Sequence, residues 1–509
     1  MHLPKVFFSI IFLTLCFVSR SQNKVPTPEQ VQKTAHRHAL NVFPEYLDFL
    51  QIPNDARSSD MDANMIWAEK AFQKRGFSTR RLPTGGLDWV FAEQNFPGAR
   101  KTVLFYMHID GQAVDPNKWF QDNPYQPVLK QQNTQGDWEI IDWNQMSKSI
   151  NPEWRIFSRS SADAKGPVLM FLAAMDAMRE AGWHPNYNLK VIMDSEEEAS
   201  APHVPESVKK HQNTLQADRL IILDGPMHLS GKPTLVYGAR GIASARITTY
   251  GPRTPQHSGH YGNYAPNPAL RLAQLLASMK DENGRVIIPG FYEGINLDEK
   301  TRAILAHVPD NEEAIRDKIG IAESDKVGRS LQEAIQYPSL NIRGMASAWV
   351  GAKVRTIIPE AAVAHLDIRL VKESNPERLI QLIRKHVEDQ GYHILKTEPT
   401  EEERKKYPKL VSMASSIAYP AFRTDLDSEI GQWLVTAQKN TFGQDPVQIR
   451  TMGGSVPISP FINILNIPGI ILPLVNPDNN QHSPNENLRL GNYLNGTQSL
   501  LGVLLEPVR

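Results

Sequence analysis

The chain has 509 residues, which is too many for one hydrophobic core, so two domains are expected. Hydrophobic residues make up 41% of the chain and charged residues 22%, as in an ordinary soluble globular protein. Lys plus Arg and Asp plus Glu both number 55, so the formal net charge is zero. This balance does not favour nucleic acid or an anionic membrane as a partner, and any charge selectivity must come from local groups.

The N-terminus has the pattern of a signal peptide. One lysine precedes the apolar run 6–18, which is too short to span a bilayer comfortably. Small residues at Ser19 and Ser21 predict cleavage before Gln22, so the mature protein is expected to be exported, either to a periplasm or to the medium. An N-terminal anchor helix is the alternative. A lipoprotein attached through Cys16 is less favoured, because a large residue precedes that cysteine.

Cys16 is the only cysteine of the chain. After cleavage the protein would have none, which excludes disulfides, thiolate metal ligands and cysteine nucleophiles. Any bound metal must then be held by His, Asp and Glu. A serine-hydrolase elbow and a phosphate-binding P-loop are also missing from the sequence.

The first half of the chain predicts helices that alternate with short apolar strands. The predicted helices are 28–76 and 168–181, the predicted strands are 89–92, 102–107, 189–193 and 220–223, and 111–155 is a long surface excursion. Such alternation is typical of a mostly parallel α/β sheet. These sheets bind ligands beyond the carboxyl ends of their strands.

The pattern changes after Gly241. Residues 243–249 and 363–370 alternate as antiparallel strands do, and 267–279 and 376–390 are periodic helices, which predicts a smaller α+β unit. A helix at 428–441 and strands at 462–465 and 470–474 then resume the first pattern. The predicted division is a signal peptide at 1–21, a catalytic domain at 22–241 and 416–509, and an inserted domain at 242–415.

Several potential metal ligands follow the predicted strands or precede a predicted helix. They are His108, Asp110, Asp163, the run Glu196 to Glu198, Asp224 and His482. Each has an ordinary alternative: a structural histidine, a helix N-cap, an exposed acidic turn, an Asp-Gly turn or a solvated histidine. Together they suffice for two metal ions about 3.5–4 Å apart that share a carboxylate.

The chain resembles the M20 metallopeptidases, specifically their carnosinase-like dipeptidase branch, from about residue 30 to the C-terminus. The motifs that carry this resemblance are MHID (107–110), FSRSSADAKGP (157–167), DSEEEASAP (194–202), LDGP (223–226), HSGHYGNYAPNP (257–268), PGFYEG (289–294), MGGSVPI (452–458) and HSPNE (482–486). The segment 340–371 resembles part of the family's lid. The resemblance implies a di-zinc catalytic domain with an inserted lid domain through which two subunits form a homodimer.

The resemblance also implies a role for each matching residue. His108 and Asp224 would hold one metal, Glu198 and His482 the other, and Asp163 would bridge. Glu197 would be the general base and Asp110 would orient His108; in the alternative register, Glu196 and Glu197 are base and ligand. His257 would polarise the scissile carbonyl in the partner subunit's site, Arg369 with Gly453, Gly454 and Ser455 would hold the substrate carboxylate, and Asn341 would contact substrate.

The implied activity is hydrolysis of the amide bond of dipeptides or short peptides by a water that the two metal ions activate. Zinc is the expected metal, with manganese or cobalt as alternatives, because His and carboxylate sites accept all three. An N-acyl amino acid amidohydrolase is the nearest alternative function. A non-catalytic binding protein on a peptidase fold is the alternative of a different class, but such a protein would have no use for Glu197.

Overall fold

The computed structural model describes residues 26–199 and 201–509. The predicted signal peptide and Cys16 lie outside these residues, so export and lipid attachment stay predictions. Within the described ranges no helix is both long and apolar enough to cross a bilayer.

Helices make up much of the described chain. The α-helices are Pro28–Leu50 (α1), Met61–Gln73 (α2), Gln145–Lys148 (α3), Lys165–Glu180 (α4), Val204–Lys210 (α5), Gln212–Leu215 (α6), Ser258–Tyr261 (α7), Pro268–Ala277 (α8), Glu299–Ala306 (α9), Glu312–Ile319 (α10), Leu331–Ala334 (α11), Pro376–Asp389 (α12), Glu401–Lys406 (α13), Glu429–Phe442 (α14), Ser459–Leu465 (α15) and Leu490–Leu505 (α16). Short 3₁₀ turns occupy Pro116–Lys118 and Gly351–Lys353.

The strands form two large sheets and three smaller ones among the described residues. They are Ser78–Leu82 (β1), Trp89–Gln94 (β2), Thr102–His108 (β3), Val128–Gln132 (β4), Trp138–Ile141 (β5), Arg155–Phe157 (β6), Asn188–Asp194 (β7), Arg219–Ile222 (β8), Thr234–Val236 (β9), Gly238–Ala239 (β10), Gly241–Tyr250 (β11), Gln256–His257 (β12), Ser339–Ala346 (β13), Ile357–Ile358 (β14), Ala361–Leu370 (β15), His393–Leu395 (β16), Leu410–Tyr419 (β17), Phe422–Arg423 (β18), Val447–Ile449 (β19), Gly469–Ile471 (β20) and Asn487–Arg489 (β21).

The larger sheet has the strand order β1-β2-β7-β3-β8-β20-β9-β19. Its centre is parallel: β3 runs parallel to both β7 and β8, and β8 runs parallel to β20. This confirms the predicted α/β class. Because parallel neighbours end at one edge of a sheet, the residues that follow β3, β7 and β8 are brought together there.

Helices cover both faces of this sheet. Phe105 and Tyr106 are adjacent in β3 and point to opposite faces, as alternation in a strand requires. Phe105 belongs to the core that the sheet forms with α1, α4, α14 and α16, and Tyr106 to the core formed with α5 and α15. Both side chains are buried, so β3, which ends at His108, lies between the two cores.

The second sheet, with the order β13-β15-β11-β17-β16, forms the inserted lid domain. Helices α8 and α12 pack on one face of it around a separate core. Ile342 of β13 and Ile417 of β17 are exposed, although each lies opposite a residue of this core, Leu366 and Ala243. Strand β17 continues to Tyr419, beyond the predicted boundary at residue 415.

Three predicted elements differ from the structure. The helix predicted over 28–76 is two helices, α1 and α2, since Pro53 disfavours helical backbone between them. The strand predicted at 462–465 was wrong, because the segment is part of helix α15; a short apolar run does not distinguish the two by periodicity. The excursion 111–155 contains the hairpin of β4 and β5.

The chain passes between the two sheets at two adjacent points, Gly241 and the segment 419–421. A side chain at Gly241 has no room, because its Cβ would lie 2.5 Å from the carbonyl carbon of Pro420 and 2.6 Å from the carbonyl oxygen of Tyr419. Both neighbours are backbone atoms, which cannot rotate away. The close approach of the two crossings therefore requires glycine.

Changing Gly241 to Ala is expected to lower the free energy of unfolding by about 1–3 kcal/mol, the usual cost of overpacking. Gly344→Ala is the matched control, because Gly344 lies in the same sheet with open space around its would-be Cβ. Denaturant unfolding of both variants measures the difference. Equal stability of the two variants would contradict the steric argument.

Candidate metal centre

Five side chains from distant parts of the sequence lie close together, with Asp163 at the centre. Its Oδ1 lies 3.0 Å from Nε2 of His108, and its Oδ2 lies 3.2 Å from Nε2 of His482. The Nε2 of His108 is 4.0 Å from Oδ1 of Asp224, and that of His482 is 3.3 Å from Oε2 of Glu198. The result is two groups of three potential ligands that share Asp163, with the ligand atoms of each group within 4.8 Å of one another.

The fold explains why these residues meet. His108 is the last residue of β3, Glu198 lies in the loop after β7, and Asp224 follows β8. Asp163 comes directly before α4, and His482 lies in the loop before β21. The neighbouring parallel strands thus bring three of the residues to one edge, and the two loops supply the others.

Asp110 contacts the side of the His108 ring that faces away from Asp163. Nδ1 of His108 is hydrogen-bonded to the backbone carbonyl oxygen of Asp110 at 3.3 Å and lies 3.3 Å from its Oδ1, while Nε2 of the same ring faces Asp163. Burial alone lowers the pKa of His108, but the contacts with Asp110 and Asp163 raise it well above its ordinary value. The other oxygen of Asp110 accepts a hydrogen bond from the backbone N–H of Glu198 at 2.9 Å. One buried carboxylate therefore positions a residue of each group.

The structure places the members of the acidic run differently. Glu196 points away from the cluster, and its Oε2 accepts a hydrogen bond from the backbone N–H of Leu87 at 3.1 Å. Glu197 is partly buried beside the cluster, and burial raises its pKa well above the ordinary value. The charge of His108 lowers that pKa, and the neighbouring carboxylates, Asp224 foremost, raise it. This placement favours Glu197 as base with the third glutamate as ligand.

The residues present fit divalent metal ions. Oε1 of Glu198 and Oδ2 of Asp163 are buried and have no hydrogen-bond partner among the described residues. Burial, followed by repulsion from Asp163, raises the pKa of Asp224 to about 6. Carboxylates packed this closely need cations, and imidazole nitrogen with carboxylate oxygen suits zinc, manganese or cobalt.

Glu486 is a residue to which the sequence assigned no role of its own. Its fully buried carboxylate pairs with Nη1 of Arg159 at 2.7 Å. It also accepts hydrogen bonds from the backbone N–H groups of Ser160, Ala162 and Asp163 at 2.9–3.0 Å. Glu486 thus holds the loop that carries Asp163. Its position within the HSPNE motif was the available signal.

Two further contacts could not be found from the sequence. Nε2 of Gln112 donates a hydrogen bond to Oε2 of Glu198 at 2.7 Å. Asp194, at the end of β7, accepts hydrogen bonds from the hydroxyl of Tyr106 and the backbone N–H of Glu196 at 2.8 and 3.0 Å. These hydrogen bonds fix the acidic loop. Gln112 lies in none of the recognised motifs, and Asp194 begins the DSEEEASAP motif, but the motif does not reveal its partners.

The residues predicted to bind substrate lie where the lid meets the catalytic domain. Nη1 of Arg369, in β15, donates a hydrogen bond to Oγ of Ser455 at 2.8 Å. The loop of Gly453 and Gly454 precedes Ser455 and follows β19. Asn341 is an exposed residue of β13, opposite Asp367 of β15.

His257 lies apart from the metal cluster. It is exposed at the end of β12, its Nδ1 accepts a hydrogen bond from the N–H of Gly259, and its ring centroid is 4.6 Å from that of His260. In residues 26–199 and 201–509 no hydrogen bond or ion pair joins it to the cluster. A role for His257 in catalysis therefore depends on a second subunit and stays a prediction.

Changing Glu198 to Gln is expected to lower the amount of zinc that the protein retains, since one of the two ligand groups loses a charged member. Glu196→Gln is the matched control, because Glu196 contacts Leu87 and lies outside both groups. Metal analysis after zinc loading and dialysis measures the content. Unchanged zinc in the Glu198 variant, together with zinc loss in a Glu197→Gln variant, would favour the alternative register, in which Glu197 is the ligand.

Two curated dipeptidases are similar to this chain in sequence. The chain is 27% identical over 412 residues to the Cys-Gly metallodipeptidase DUG1 of Saccharomyces cerevisiae, which covers 80% of this chain and 79% of that one. It is 26% identical over 425 residues to human Beta-Ala-His dipeptidase, covering 82% of this chain and 77% of that protein.

Solved structures share the fold. An M20 family metallo-carboxypeptidase from Sulfolobus solfataricus superimposes with a TM-score of 0.73 at 24% identity, over 92% of this chain and 98% of that chain. Human carnosine dipeptidase 1 gives a TM-score of 0.71 at 23% identity, over 94% and 99%. The family model for peptidase family M20/M25/M40 matches residues 104–506. That match covers most of the chain, so the protein belongs to the M20 metallopeptidases, the family that its motifs predicted.

Proposed function

We propose that this metallopeptidase hydrolyses dipeptides or short peptides with two divalent metal ions, and that the metal is zinc. The observation that carries the proposal is the pair of ligand groups sharing Asp163, with a partly buried glutamate, Glu197, beside them. The metal residues would be His108 and Asp224 on one side and Glu198 and His482 on the other. A binding protein would need no such base beside its metal ligands.

Glu197 acts as the general base in this proposal. Bound divalent cations act as Lewis acids, which polarise a carbonyl and make water more acidic. Glu197 accepts the proton of the attacking water and returns it to the leaving amine. Its raised pKa suits both steps, because a carboxylate with an ordinary pKa holds a proton poorly at neutral pH. Asp110 keeps Nε2 of His108 directed at the cluster.

The substrate is oriented by its carboxylate. Arg369 reaches the catalytic domain through Ser455, and its Nη2 forms no hydrogen bond within the described residues, which leaves donors for a carboxylate. Gly453 and Gly454 give the loop room for close approach, and Asn341 is a further contact. His257 would stabilise the developing oxyanion from a partner subunit, and we propose a homodimer through the lid for that reason.

The relatives' names suggest which substrates to test first. We propose dipeptides, with Cys-Gly and β-Ala-His as initial probes, beside tripeptides and N-acetyl amino acids, all assayed with zinc, manganese and cobalt. Cleavage of dipeptides with little cleavage of N-acetyl amino acids is the expected result. The reverse preference would show an amidohydrolase instead, and cleavage of no amide with any metal would contradict the proposed function.

Changing Glu197 to Gln is expected to lower kcat by at least about 100-fold, because a general base contributes about 10²–10⁴-fold. Metal content should stay that of the wild type, since Glu197 belongs to neither ligand group. Steady-state kinetics and metal analysis of the same preparation test both statements. Glu196→Gln again serves as the control, and unchanged turnover in the Glu197 variant would remove its assignment as base.

A further inference from the structure

One row of side chains crosses the lid sheet at the end that meets the catalytic domain. Ile242 of β11 is opposite Arg369 of β15 on one side and opposite Tyr419 of β17 on the other. Residues directly opposite each other in neighbouring strands project from the same face of a sheet. A bulge in the β11–β17 pair lies next to this row, and bulges of this kind redirect side chains beside functional sites.

Both ends of the row converge on Ser455. Nη1 of Arg369 donates to its Oγ at 2.8 Å, and Tyr419 lies near enough for Ser455 to lower the pKa of its hydroxyl. The backbone N–H of Arg240 donates to the carbonyl oxygen of Gly454 at 3.2 Å, which fixes the same loop. A guanidinium, a phenol and a serine hydroxyl therefore occupy one small region.

This region is short of negative charge. Arg240 is buried, and its Nε has no hydrogen-bond partner among the described residues. Burial, and then the charge of Arg369, lowers the pKa of Arg240 to about 10. Asp367 contacts Nε of Arg369 at 3.3 Å, so one carboxylate faces two guanidinium groups. An anionic ligand would relieve the remaining repulsion.

The hydroxyl of Tyr419 can donate a hydrogen bond. Burial, and then the charge of Glu197, raises the pKa of this hydroxyl to about 12, although Arg369 and Ser455 lower it. The phenol therefore keeps its proton at neutral pH.

We propose that Tyr419 is a substrate-binding residue whose hydroxyl donates a hydrogen bond to the C-terminal carboxylate of the peptide. The inference rests on the proposed function, in which Arg369 and Ser455 hold that carboxylate. An ionised carboxyl group has about four acceptor positions, so it can accept from Arg369, Ser455 and Tyr419 together. The resulting contact comes from strand β17, next to the point where the chain leaves the lid.

The test is Tyr419→Phe, which removes only the hydroxyl. Tyr250→Phe is the matched control, since its hydroxyl bonds to Oγ of Ser412 at 3.0 Å at the other end of the same strand pair. The zinc-loaded protein is assayed with a dipeptide that the wild type cleaves and with the C-terminal amide of that dipeptide. If cleavage of the amide is too slow to measure, its inhibition constant against the dipeptide replaces KM.

We expect Tyr419→Phe to raise KM for the dipeptide by about tenfold or more, the usual effect of losing a hydrogen bond to a charged group. KM for the amide, or its inhibition constant, should change by less than about twofold. The kcat for the dipeptide should stay close to that of the wild type, and the midpoint of unfolding should not move. Tyr250→Phe should leave both substrates unaffected.

Two outcomes would overturn the inference while the proposed function stands: an unchanged KM for the dipeptide, or an equal change for dipeptide and amide. An equal change would show that Tyr419 acts on the shape of the site. Failure of the wild-type protein to cleave any peptide would instead remove the proposed function, and the inference with it.

Discussion

Repulsion among buried carboxylates is the constraint on which the rest of this molecule depends. Asp224 and Glu198 each have a carboxylate oxygen within 4.8 Å of one of Asp163, at one edge of the sheet. Burial, and then repulsion from Asp163, raises the pKa of Asp224 to about 6 even though His108 lowers it. Two further carboxylates, Asp110 and Glu486, accept hydrogen bonds from the backbone N–H groups of Glu198 and Asp163 and so hold these ligands in place. Oδ2 of Asp163 and Oε1 of Glu198 have no hydrogen-bond partner among the described residues, which leaves them available to cations.

The two domains contribute different residues to this region. Every residue of the two ligand groups comes from the catalytic domain, whereas Arg369 comes from the lid and reaches Ser455 across the boundary. The ligand groups and Arg369, the residue proposed to orient the substrate, thus belong to domains with separate cores. The narrow crossing at Gly241 fixes the ends of β11 and β17 against each other, so the lid presents its row of side chains in a defined position.

Sequence reasoning succeeded where one local pattern determines one position. His108 and Asp224 end or follow apolar strands, and parallel strands bring such residues to one edge, so their meeting could be predicted. It failed at residues 462–465, where an apolar run is equally compatible with a helix, and at the break near Pro53. Contacts such as that of Gln112 with Glu198 depend on loop conformation, which no periodicity encodes. Glu486 lies within a recognised motif, but its contact with the Asp163 loop needs tertiary structure.

Glu486 holds the Asp163 loop and lies in the same segment as His482, and this has a consequence for synthesis of the protein. The ribosome produces His108 and Asp163 early and the HSPNE segment more than three hundred residues later. During translation the early ligands exist without the carboxylate that shapes their loop and without the second imidazole. The complete set of ligands would therefore form only after synthesis has passed Glu486. A chain that ends earlier would lack part of the site and would hold metal less well.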